Sequence, residues 1–163
     1  MDARATKTLK ITTPSDLELA MAREFDAPRR LVFEAMTKPE YVRRWLNSAQ
    51  HPIVVCEIDL RAGGAYRFVF RDPDGKETML QGTYTEIVRP DRLVFVERFS
   101  MPSFTSDEYQ VASTFIESGG KTTLTTTILH NSKENRDGQL NSGIEKGVEP
   151  AYDRIAELVA TME

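Results

Sequence analysis

The sequence has a single cysteine, Cys56, so no internal disulfide can form. Cys56 lies in the apolar run His51-Pro-Ile-Val-Val-Cys-Glu-Ile58 and reads as a buried, inert thiol. Histidine is nearly as scarce: His51, before a strand, should be exposed, and His130, ending the last strand, reads as an edge residue at the surface. There is no His-x-x-x-His or paired-Cys spacing, which argues against a transition-metal site. Gly-x-Ser-x-Gly and phosphate-cradling glycine loops are also missing, and no cofactor is expected. Basic charge is short: Lys and Arg number 21 against 25 Asp and Glu, with no basic stripe, so nucleic acid is not an expected partner. No window approaches the ~20 apolar residues of a membrane span. Met1 to Lys10 lacks the apolar stretch of a signal peptide, and cytoplasmic residence is the expectation.

What is present is an ordinary globular composition in 163 residues, enough for one core without metal or disulfide. Residues 1–16 read as a partly flexible N-terminal segment and 17–163 as one domain. Leu17 to Ala27 reads as an opening strand. Pro28 starts a helix with Leu31, Val32, Ala35 and Met36 as its buried stripe. Thr37-Lys-Pro-Glu40 reads as a capping box for a second short helix through Trp45 and Leu46.

A β region follows. His51 to Leu60 is rich in Ile and Val, and Gly63-Gly64 suggests a bend. Ala65 to Arg71 alternates, with Tyr66, Phe68 and Phe70 on one side. Asp72-Pro-Asp-Gly75, Arg89-Pro-Asp-Arg92 and Ser118-Gly-Gly120 are turns between further strands. Connections this short leave no room for parallel crossovers. At the end, Ser132 is an N-cap for a weak helix. Ile144, Val148, Ala151, Tyr152, Ile155, Leu158 and Val159 then share one helical face, opposite Glu145, Glu149, Asp153 and Glu157. Pro150 must kink or restart that helix. The fold class is therefore α+β: a curved antiparallel sheet of about six or seven strands, two short helices, and a long last helix over the sheet.

Arg23-Glu-Phe-Asp-Ala-Pro28, Val32-Phe33, Pro39-Glu40 and Trp45 stand in an order that resembles bacterial relatives of the activator of the heat-shock chaperone ATPase. Asp59-Leu-Arg-Ala-Gly-Gly64, Gly82-Thr-Tyr84, Arg92-Leu93 and Gly143-Ile-Glu-Lys-Gly147 continue the resemblance over nearly the whole chain. It implies the helix-grip fold of the START/SRPBCC superfamily, with an apolar cavity between sheet and last helix. The chain departs from the family pattern at Pro150 and at Glu97, where an aromatic is common.

Alternation places Glu97 with Leu93, Phe95 and Phe99 on the concave face, where burial would raise its pKa. It could anchor a ligand, act as acid or base, or form an edge salt bridge. The aromatics Phe33, Trp45, Tyr66, Phe68, Phe70, Phe95 and Phe115 are core types that also line ligand pockets. Gln81, Ser113 and Tyr152 are polar candidates for orienting a ligand, and Gly147 either permits close approach or only breaks the helix. The first functional expectation is therefore binding of an apolar or amphipathic small molecule. A cyclase- or hydrolase-like enzyme using Glu97 comes second, and a chaperone-contacting module third.

Overall fold

The structure is a computed structural model that describes residues 9–163. Its strands are β1 (Lys10–Thr12), β2 (Glu18–Phe25), β3 (Ile53–Ile58), β4 (Ala65–Arg71), β5 (Glu77–Val88), β6 (Arg92–Met101), β7 (Phe104–Thr105), β8 (Tyr109–Ser118) and β9 (Lys121–Leu129). The helices are α1 (Arg29–Thr37), α2 (Pro39–Leu46), α3 (Lys133–Leu140) and α4 (Ile144–Val159). All strands form one antiparallel sheet in the order β1-β2-β9-β8-β6-β5-β4-β3, with β7 paired to β6. The sheet exceeds the expected six or seven strands because β1 and β7 are three- and two-residue pieces, too short to show a period of two. Of the N-terminal segment, residues 1–8 lie outside the described residues, and Lys10–Thr12 form β1.

Local chemistry explains the path. Gly119 and Gly120, at φ 60° and 78°, close the two-residue hairpin between Ser118 and Lys121. α1 and α2 carry the chain from β2, near one edge, to β3 at the other. Pro28 caps α1 and Pro39 opens α2, where a missing N–H is harmless. The capping box at Thr37 does not form. Thr37 still belongs to α1, and its hydroxyl donates back to the Phe33 carbonyl at 2.7 Å, so the extended Lys38 serves as the cap of α2. Ser132 does cap α3, accepting from the Asn135 N–H at 3.0 Å.

α4 runs unbroken through Pro150, so the chain does not restart there. Its second half is buried through Ala151, Tyr152, Ile155, Leu158 and Val159, whereas Ile144 and Val148 in the first half are only half-buried. The main core joins this stripe to Val32 and Phe33 of α1 and to Phe25, Tyr84, Leu93, Phe115 and Leu124 of the sheet. A smaller cluster under α2 holds Val42, Ile53, Cys56 and Phe70. Arg23 ties sheet to helix through Asp153 at 2.7 Å, and Arg154 donates to the Trp45 carbonyl at 2.6 Å.

Candidate functional site

Residues paired across antiparallel strands project to the same face. The registers Tyr66↔Gly82, Gly82↔Glu97 and Glu97↔Tyr109 therefore set one row across β4, β5, β6 and β8. The row lies on the face turned toward α4, in phase with Leu93, Phe95 and Val111. Gly82 is its gap: a Cβ there would stand 2.7 Å from the Tyr66 hydroxyl oxygen and 2.2 Å from the Val96 carbonyl oxygen. Without a side chain at 82, the Tyr66 ring crosses β5. Its hydroxyl donates to Glu97 Oε1 at 2.6 Å, while Tyr109 donates to Oε2 at 2.7 Å.

Glu97 is thus a carboxylate clamped by two phenols in an apolar wall. The rings of Phe68 and Phe95 stand 5.1 and 5.4 Å from that of Tyr66. Burial pushes the Glu97 carboxyl above its ordinary range, and the two phenol bonds pull it part of the way back. Burial, reinforced by the neighbouring carboxylate, pushes both phenols well above theirs. Glu97, Phe68, Phe95, Phe99, Leu80 and Tyr109 are all half-buried, whereas Tyr66 and Tyr84 are covered. The helical layer therefore covers Tyr66 and Tyr84 fully and these six only in part, with Ile144 and Val148 of the first half of α4 packed near Phe95 and Tyr109.

A pH dependence follows. The unfolded Glu97 has the ordinary value of 4.5, and the folded value lies higher. A raised folded value means that the folded state holds its proton longer. The contribution of Glu97 to stability is thus complete below 4.5 and is lost as pH rises through the folded value. In urea unfolding across this range, wild type should lose stability relative to Glu97→Gln as pH rises, then run parallel to it. Curves parallel throughout would show a carboxyl that folding does not perturb.

The other candidates divide. Phe33 and Phe115 stack edge to face at 5.3 Å in the main core, and Phe70 is in the smaller cluster. Trp45 is half-buried between the two clusters, its indole N–H donating to the Ala35 carbonyl at 2.8 Å. Ser113 and Tyr152 come together through Thr126, at 3.3 and 3.4 Å, in a fully covered chain that struts α4 from the sheet. Gln81 is corrected: its register with Arg67 and Arg98 puts it on the outer face, in a groove of ≈ 430 Å³ with Glu57, Thr83 and Glu108. Gly147 is corrected too, being exposed with nothing near its Cβ position, so no sheet or buried group approaches it.

His51 is exposed, as read, and faces Asp72 at 3.0 Å. His130 is buried rather than at the surface. Its ring packs on Tyr109 at 5.6 Å, and Nε2 meets the Gln139 side-chain oxygen at 2.6 Å. Sequence reasoning missed Tyr109 as a site residue, although it is in phase with Val111, Ser113 and Phe115 along β8. Among the described residues no group of His, Cys, Asp and Glu could hold a metal, and no helix is long and apolar enough to cross a membrane.

Comparison with known proteins agrees with this layout. The family described as Activator of Hsp90 ATPase homolog 1-like protein matches residues 26–160. No curated protein sequence matches the chain. A crystal structure of a Rhodobacter sphaeroides protein is 25% identical, with a TM-score of 0.87 over 96% of this chain and 100% of that one. A Mycobacterium smegmatis protein is 23% identical, at 0.82 over 96% and 99%. An Arthrobacter aurescens protein, solved by NMR, is 21% identical, at 0.80 over 95% and 92%. The last two likenesses bear on the fold alone.

Proposed function

The chain belongs to the Activator of Hsp90 ATPase homolog 1-like protein family, and from that premise we propose that it binds an apolar or amphipathic small molecule between the sheet and α4. Glu97 orients the polar end of that molecule. The observation that carries this reading is the clamped carboxylate in a wall of half-buried rings. Small-molecule sites combine an apolar lining with a few fixed polar groups, and the two phenols fix this one. Each carboxylate oxygen accepts one protein hydrogen bond and keeps a second lone pair for a ligand.

Trp45, the only tryptophan, borders both clusters and is a built-in reporter. Titration with N-phenyl-1-naphthylamine, a neutral probe that fluoresces in apolar surroundings, should give a saturable rise at one probe per chain. Trp45 emission should be quenched in parallel. A rise that never saturates, with Trp45 unchanged, would remove the reading.

The same carboxyl favours an enzymatic reading second. Burial holds its proton at higher pH, as a general acid or base of cyclase or hydrolase type requires. That role calls for turnover of a bound compound that Glu97→Gln abolishes while the compound still binds. The exposed face of α4, with Glu145, Glu149, Asp153 and Glu157, offers a chaperone no apolar stripe.

A further inference from the structure

We propose that the polar end of the molecule held at Glu97 is a cation, an alkyl- or arylammonium group rather than an alcohol or an acid; the inference rests on the binding reading above. The first ground is the charge count. Among the described residues the only hydrogen-bond partners of Glu97 are Tyr66 and Tyr109, and no cation pairs with it. The cations of the neighbouring strands are engaged elsewhere. Arg98, next along β6, projects to the outer face and meets Glu108 at 3.9 Å, and Arg67 on that same face meets Glu57 at 3.8 Å. Arg23, on the inner face, is held by Asp153. His130 lies behind Tyr109 with its Nε2 on Gln139.

The second ground is the surroundings of the carboxylate. Tyr66 and Tyr109 hold it directly, the rings of Phe68 and Phe95 pack on Tyr66, and aromatic faces attract cations. A half-buried carboxylate without a counter-ion is costly and tends to keep its proton; an ammonium group stabilises the ionised form, supplying the missing charge together with donors for the free lone pairs. An alcohol supplies one donor and no charge. An acid brings a second negative charge beside the first, which is unfavourable.

The test is displacement of N-phenyl-1-naphthylamine by decylammonium, decanol and decanoate, below micelle-forming concentrations and at slightly alkaline pH. Decylammonium should displace the probe at about tenfold lower concentration than decanol, with decanoate weakest. In Glu97→Gln the ratio between decylammonium and decanol should fall to about one. Wild-type ratios near one, or decanoate as the best competitor, would overturn the cationic head while leaving apolar binding intact. Failure of the probe itself to bind would instead sink the binding reading. The wild-type comparison requires no variant, so it decides the matter even if Glu97→Gln folds poorly.

Discussion

Gly82→Ala should destabilise the protein by about 3 kcal/mol, the upper part of the range for overpacking a close-packed site. The new methyl would meet the Val96 carbonyl oxygen at 2.2 Å and the Tyr66 hydroxyl oxygen at 2.7 Å. A flexible side chain could swing away, but the carbonyl belongs to the neighbouring strand and cannot move without bending β6. Tyr66 would also lose its path to Glu97, leaving a buried phenol without its acceptor. Gly138→Ala and Gly147→Ala are the controls. Both glycines are helical with open space at the Cβ position, so alanine should add roughly 0.5–1 kcal/mol each. Urea denaturation measures all three. A Gly82→Ala protein as stable as wild type would mean that Tyr66 does not lie over β5.

Phe115→Ala should cost about 3–5 kcal/mol, as for other large-to-small changes at fully buried aromatics. Phe115 is 1% exposed, pairs with Leu124 across the sheet, and stacks on Phe33. No rearrangement of α1 and α4 closes such a hole without losing other contacts. Phe68→Ala is the informative contrast. Phe68 is half-buried beside Tyr66, so its loss should cost less stability. It should weaken N-phenyl-1-naphthylamine binding by about tenfold, or 1.4 kcal/mol. Denaturation curves and probe titrations of the two variants separate packing from contact. Equal stability losses with equal probe affinities would contradict the division drawn between them.

That division was not available from the sequence. Phe33, Phe68, Phe95 and Phe115 carry the same side chain, and only their depth beneath the helical layer tells core from wall. The inward direction of Glu97 was legible once Leu93, Phe95 and Phe99 were taken as the inner face, because a period of two puts residue 97 with them and the pairing of β6 with β8 runs from Arg92 to Glu97 without a shift. Its partners were not. Tyr66 and Tyr109 lie 31 and 12 residues away, and only the register across the sheet brings them together. Gln81 fell on the wrong side because Met79 and Leu80 are adjacent apolar residues and position 82 is a glycine, so no period of two in the sequence marks which face Gln81 takes, whereas the register sets Leu80, Gly82 and Tyr84 inward and Gln81 outward. His130 was read as an edge residue, yet α3 folds back and Gln139 covers it. The hairpin turns, the one-sided α4 and the Ser132 cap were all legible, since each depends on residues close in sequence.

The central claim is that the partly covered inner face beside Glu97 receives an apolar molecule. Intermolecular NOEs between bound N-phenyl-1-naphthylamine and the protein test it most directly. The account predicts NOEs to the rings of Phe68, Phe95 and Trp45 and to the methyls of Val148. NOEs confined to the outer groove at Arg67, Gln81, Thr83 and Arg98 would contradict it.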